Sequence, residues 1–225
     1  MKDNFIHVCF IIDSSGSMWQ STDDVIGGFN RTIKEQKDVK NGKCSVSLFK
    51  FNDTVEEVYV GKDVNEIDGI EYKAGGCTAM NDGIGTAITK IGEWLSNMEE
   101  SERPSKNLIV IMTDGQENAS KEYTFSSVKD MIKHQEEKYN WTFVYMGTDL
   151  TSMDDVNKLG IKMSAFSSRK SLSNNYNVVN EATTMYRNCD SVVSSQATMD
   201  WLSDATCRMS AEYEKERGIK LGNNE

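Results

Sequence analysis

Four short apolar runs punctuate the chain, at residues 5–12, 44–51, 108–112 and 141–146, each containing β-branched or aromatic residues. Continuous runs of this length, bounded by polar or glycine-containing segments, predict strands buried on both faces of a sheet. A fifth run, residues 54–60, alternates and follows Phe51 after only Asn52-Asp53. That spacing predicts a hairpin whose second arm is an antiparallel edge strand. A weaker sixth run covers residues 161–166, behind Gly160.

Helical patterns lie between these runs. Ile84, Ile88, Ile91 and Leu95 recur at helical spacing and share one face. Val25, Ile26, Phe29 and Ile33 mark a second helix, in which Gly27-Gly28 lowers propensity but allows close packing on the sheet. Val128, Met131 and Ile132 mark a third, with Glu136, Glu137 and Lys138 on its outer side. Strands alternating with helices predict an α/β domain built on a doubly wound, mainly parallel sheet with one antiparallel edge strand.

The character changes after Phe166. Residues 167–171 read as a connector, and two helical patterns follow: Val178, Ala182, Met185, Tyr186 and Cys189, then Leu202, Ala205, Met209 and Tyr213. The expected division is an α/β core over residues 1–166 and a C-terminal helical extension over 167–225, packing on or beside it, with a frayed tail from Gly218.

Composition narrows the partners. The 25 Lys+Arg against 35 Asp+Glu give a formal net charge of -10, which argues against a nucleic-acid ligand and favours the gathering of divalent cations. No stretch approaches the roughly 20 apolar residues of a membrane span. Cys9, Cys44, Cys77, Cys189 and Cys207 are odd in number, widely spaced and without CxxC pairs, so neither a disulfide framework nor a structural zinc site is expected. The N-terminus lacks the long apolar run of a secretory signal. Reduced thiols in a soluble, cytoplasmic protein are the expectation.

Ligands of an open parallel sheet collect at the carboxyl ends of its strands. Three polar segments fall there: residues 13–18 after the first strand, residues 75–82 before the isoleucine-faced helix, and Thr113-Asp114-Gly115 after the strand at 108–112. Asp13, Ser15, Ser17, Thr78 and Asp114 together offer two carboxylates and three hydroxyls. An all-oxygen set suits Mg2+, which prefers octahedral geometry and keeps several waters. Mn2+ and Ca2+ are possible substitutes.

Asp13-x-Ser15-x-Ser17, the later Thr78 and Asp114-Gly115 resemble the metal-ion-dependent adhesion site of von Willebrand factor A and integrin inserted domains. The resemblance covers roughly residues 5–166, including strand order and edge hairpin. It implies that Ser15 and Ser17 ligate directly, that Thr78 and Asp114 do so directly or through water, and that Asp13 often acts through water. It further implies a protein partner whose Asp or Glu carboxylate completes the shell, and a stand-alone domain of bacterial or phage type. Cys77 stands where that pattern usually has a hydroxyl or small residue.

Several residues admit plainer readings. Asp82 is either a favourable charge at a helix N-terminus or a group touching the metal or its water. Glu117 reads as rim solvation, and Asp149 as near the sheet edge without a matching motif. Met18 and Trp19 read as buried under the first helix, with exposed contacts beside the ion as the alternative. His7 and His134 have no catalytic partners in a recognisable arrangement. The leading function is therefore a metal-dependent protein-binding module and not an enzyme. A Mg2+-dependent hydrolase or phosphotransferase, and a structural subunit of an ATPase-linked or phage assembly, are the alternatives.

Overall fold

A computed structural model describes residues 2–148, 153–168, 172–189 and 192–218. The strands are β1 (Lys2–Asp13), β2 (Lys43–Phe51), β3 (Val55–Asp63), β4 (Pro104–Thr113), β5 (Thr142–Gly147) and β6 (Met163–Phe166). The helices are α1 (Thr22–Asp38), α2 (Met80–Ser96), α3 (Phe125–Tyr139), α4 (Met153–Leu159), α5 (Leu172–Arg187) and α6 (Val192–Arg217). The sheet order is β3-β2-β1-β4-β5-β6. Every neighbouring pair is parallel except β2 with β3, which pair antiparallel through the hairpin.

Strand alternation divides the interior into two cores. Val8, Phe10 and Ile12 of β1 join Leu108, Val110 and Met112 of β4 on one face, under α1 and α5. Cys9 and Ile11 join Ile109 and Ile111 on the other, under α2, α3 and α4. Because both faces are covered, the central strands carry unbroken apolar runs, as a doubly wound sheet requires. Of the two glycines in α1, Gly28 serves packing against a helix and not the sheet, while Gly27 has open space beside it. A Cβ at Gly28 would lie 2.2 Å from the ring of Tyr176 on α5. That ring in turn stacks on Phe10, with centroids 6.4 Å apart.

The segment after Phe166 is integral to this packing. Leu172, Tyr176, Val179, Ala182 and Tyr186 of α5 are buried in the first core. Helix α6 lies along the β6 edge, placing Leu202 in the first core and Tyr213 in the second. Its Ser210 hydroxyl accepts the Phe166 N–H (3.3 Å) and donates to the Ser164 carbonyl (3.4 Å), serving backbone groups of an edge strand. Among the described residues no helix is long and apolar enough to cross a membrane. All five cysteines are free thiols.

Two buried polar groups tie distant elements together. Arg187, at the end of α5, is 4% exposed and reaches the C-terminal end of α1. Its guanidinium donates to the carbonyls of Gln36, Val39, Asn41 and Gly42 and to Gln36 Oε1. A cation placed there answers the orphan carbonyls and the negative end of the helix dipole together. His7 on β1 is fully buried. Its Nδ1 lies 3.2 Å from Asn107 Oδ1 on β4, and its Nε2 lies 2.7 Å from Ser47 Oγ on β2. A neutral imidazole with the proton on Nδ1 satisfies both contacts. Burial pushes its pKa down from 6.5 to about 3, partly opposed by the Asn107 hydrogen bond.

Arg187→Leu strips these acceptors of their donor and is expected to lower unfolding free energy by at least about 3 kcal/mol, read by urea denaturation. His7 gives a pH signature. Because its folded pKa is depressed, the unfolded chain binds the extra proton between pH 6.5 and about 3. Its contribution to stability is complete above 6.5 and is lost as pH falls, by up to about 1.4 kcal/mol per pH unit. His7→Gln is expected to flatten that part of the pH–stability curve relative to wild type, measured by denaturation at stepped pH.

Candidate metal centre

Parallel pairing of β1 with β4, in the register Ile12↔Met112, ends both strands at the same edge of the sheet. Asp13 closes β1 and Thr113 closes β4, so the two polar turns that follow lie side by side. The segment at 75–79 is laced onto them by its backbone. Gly75 N–H donates to the Ser14 carbonyl (2.8 Å), Gly16 N–H to the Gly76 carbonyl (3.0 Å) and Ala79 N–H to the Asn52 carbonyl (2.7 Å). Asn118 then fixes Thr78, accepting its N–H at Oδ1 (2.9 Å) and donating its own N–H to the Thr78 carbonyl (3.0 Å).

The side chains of all five residues named from the sequence converge. Ser17 Oγ donates to Asp114 Oδ1. Ser15 Oγ lies 3.0 Å from Ser17 Oγ. Since the Ser17 proton is engaged by Asp114, Ser15 is the donor of that pair. Gly115 locates the other two. A Cβ built there would sit 3.2 Å from Thr78 Oγ1, 3.5 Å from Ser17 Oγ and 3.6 Å from Asp13 Oδ2. One point beside Gly115 thus has oxygens of three of the five residues within 3.6 Å, where a side chain larger than that of glycine would crowd them.

Asp13 is the most constrained member, with no solvent exposure. Its Oδ1 accepts the Ser15 N–H (2.7 Å) and its Oδ2 accepts the Thr113 hydroxyl (2.5 Å). Burial pushes its pKa up from 3.8 to about 6; the Thr113 and Ser15 hydrogen bonds oppose this, and the neighbouring Asp114 charge adds to it. Asp114 itself is 3% exposed. Two carboxylates brought together out of water favour a cation between them. Among the described residues no three His, Cys, Asp or Glu side chains cluster as a metal-binding group, so the convergence is one of mixed carboxylate and hydroxyl oxygens.

Thr113 was within the segment identified from the sequence but not given a role. Its hydroxyl holds Asp13 and also accepts the Gly115 N–H (3.1 Å). Tyr72 is a second such residue, donating its hydroxyl to the Asp13 carbonyl (2.5 Å). No local pattern marks Tyr72, which comes 59 residues later in the chain.

Asp82 binds neighbouring backbone: its two oxygens accept the N–H groups of Lys121 (2.8 Å), Glu122 (3.0 Å) and Tyr123 (2.8 Å). Glu117 departs from the expected solvated rim. Its carboxylate accepts from the N–H groups of Asn81, Ala119 and Ser120 and from the Ser120 hydroxyl. Asp155 on α4 in turn accepts the Glu117 N–H (2.9 Å). These three carboxylates pin the 115–123 loop to α2 and α4.

Met18 is buried at 1% exposure, but Trp19 stands 70% exposed, against the expectation of burial for both. Successive side chains of the 3-10 turn Gly16–Ser21 point about 120° apart, so Met18 is buried while Trp19 faces out. Cys77 is exposed, and its thiol is pushed up by a hydrogen bond with Asp53. His7 lies six residues before Asp13 on β1, inside the sheet, and His134 lies on α3. Asp149 falls outside the described residues.

This geometry has relatives. A model of the von Willebrand factor type A domain matches residues 7–186, a span that includes α5 and stops before α6. Proximal thread matrix protein 1 from the mussel byssus superposes with a TM-score of 0.60 at 18% identity, covering 81% of this chain and 47% of that one. A further structure of that protein carries a zinc-occupied MIDAS motif. A von Willebrand factor type A protein from Catenulispora acidiphila gives a TM-score of 0.55 at 14% identity, covering 82% and 43%. The vWF domain of the type V pili tip protein Mfa5 from Porphyromonas gingivalis gives 0.59 at 11%, covering 83% and 97%. The chain thus spans about half the length of the mussel and Catenulispora proteins. No curated protein sequence matches it significantly. With 7–186 of its 225 residues accounted for by one model, the chain belongs to the von Willebrand factor type A domain family.

Proposed function

We propose that this domain is a metal-dependent protein-binding module in which Asp13, Ser15, Ser17, Thr78 and Asp114 hold Mg2+. The single observation that carries the reading is the convergence of Thr78 Oγ1, Ser17 Oγ and Asp13 Oδ2 within 3.6 Å of one point beside Gly115. Hard oxygen donors of mixed charge are what Mg2+ takes, with Mn2+ and Ca2+ as substitutes. When bound, the ion supplies a Lewis-acidic position for one carboxylate of a partner protein. The protein's own contribution is preorganisation. Thr113 and the Ser15 N–H hold the Asp13 carboxylate in one orientation, and Ser15 and Ser17 form a chain ending on Asp114. Supporting hydrogen bonds of this kind commonly carry ten- to hundredfold effects on metal affinity.

Two predictions test the reading. In the first, Mg2+ titrated by calorimetry into the whole chain binds wild type, and binding is lost in Asp13→Ala and weakened about ten- to hundredfold in Thr113→Val. Mg2+ should also raise the melting temperature of wild type and leave that of Asp13→Ala unmoved, because only the native state holds the ion. In the second, proteins captured from the host by immobilised wild type are released by chelator and are not retained by Asp13→Ala. Capture that survives excess chelator undiminished would sink the metal-dependent mechanism.

A further inference from the structure

Trp19 is the most exposed large apolar side chain among the described residues, at 70%, and it comes two positions after Ser17. Its backbone is not free to wander. The Met18 N–H donates to the Ser15 carbonyl (3.2 Å), and the Trp19 carbonyl accepts the Thr22 hydroxyl (3.0 Å) as α1 begins. Leaving an indole in water forgoes the burial of on the order of 200 Å2 of surface. A tryptophan kept exposed on a fixed turn is the residue type that most often anchors protein interfaces.

Beside it is a cleft of about 310 Å3 between Trp19, Thr22 and Asp23 on one side and Tyr72, Lys73 and Ala74 on the other. Asp23 and Lys73 contribute one charge of each sign, so the cleft has no net charge to offer an ion. Gln20 and Thr22 add uncharged polar groups, and the remaining walls are an indole, a phenol ring and a methyl group. The Tyr72 hydroxyl is already spent on the Asp13 carbonyl, which ties this wall directly to the proposed metal centre and leaves its ring as the usable surface.

We infer that this cleft is a specificity subsite for an apolar side chain, aliphatic or aromatic, on the same partner segment that presents the carboxylate. The inference rests on the metal-dependent reading above and adds the second recognition element. The two-residue separation of Trp19 from Ser17 limits their Cα distance to about 7 Å. An extended partner covers the same distance in one or two residues. The recognised element is thus an Asp or Glu with an apolar residue one or two positions away. The acidic group meets the ion, and the apolar group displaces water from the indole face.

Random peptides displayed on phage and selected on the immobilised full chain test this, with Mg2+ present and elution by chelator. Peptides recovered on wild type should be enriched in an acidic residue with an apolar residue within two positions. Those recovered on Trp19→Ala should keep the acidic residue and lose the apolar preference. A selected peptide should bind Trp19→Ala about tenfold or more weakly, with Trp19→Phe recovering part of the loss. Mg2+ affinity should be equal in all three proteins, which also reports that each is folded. Acidic enrichment without an apolar preference on wild type would overturn the subsite alone. So would peptide affinity unchanged by Trp19→Ala. Chelator-eluted peptides that lack an acidic residue, or specific peptides that stay bound through the chelator step, would overturn the metal-dependent reading beneath it.

Discussion

A carboxylate removed from water loses the hydration that stabilises its charge, and Asp13 is removed from water completely. The ligand-bearing edge of the sheet is arranged around that expense. One oxygen is met by the Ser15 N–H and the other by the Thr113 hydroxyl, so both partners come from turns at the ends of adjacent parallel strands. The pairing of β1 with β4 is what delivers them. A slip of one residue would exchange the faces of every side chain and take Thr113 away from Asp13. Even so, the group remains hard to ionise, and Asp114 nearby makes it harder. In physical terms the site concentrates negative charge out of water, a condition that the divalent cation proposed above would relieve.

The loops around the site are stabilised by the same device turned inward. Asp82, Glu117 and Asp155 use their carboxylates mainly on backbone N–H groups of the 115–123 segment, Glu117 also accepting from Asn81 on α2 and Asp155 also pairing with Lys158. Each such bond is charge-assisted and stronger than its neutral counterpart. A loop that would otherwise be mobile is held where Thr78 and Gly115 need it. The acidity that suggested cation binding from composition alone is therefore divided between two jobs, and only Asp13 and Asp114 of these five carboxylates face the proposed ion.

The fold was largely legible because burial on both faces writes continuous apolar runs, and because Asn52-Asp53 left room only for a hairpin. The five candidate oxygens were legible because they sit next to those runs. What was not legible has physical reasons. Helix α4 has seven residues, too few for a helical period to show. Strand β4 begins at Pro104 and takes in polar Lys106 and Asn107; Asn107 is buried there with its side chain bonded to His7, a hundred positions away. Asp82 gains its role from contacts 39 to 41 residues distant, and Glu117 reaches α2 through Asn81, 36 residues away, neither of which leaves a local pattern. The exposure of Trp19 depends on the direction taken by a six-residue 3-10 turn. Residue type alone argued the other way.

Helix α6 has a consequence beyond covering an edge. A sheet normally insulates the layer above it from the layer below, and each could loosen while the other stays intact. Here one rigid rod is anchored by Leu202 above the sheet and by Tyr213 below it, with Ser210 fastened to the rim between them. Neither layer can expand at that border without dragging on the other. The helix acts as a rivet, coupling the two hydrophobic compartments on opposite faces of the sheet into a single cooperative unit.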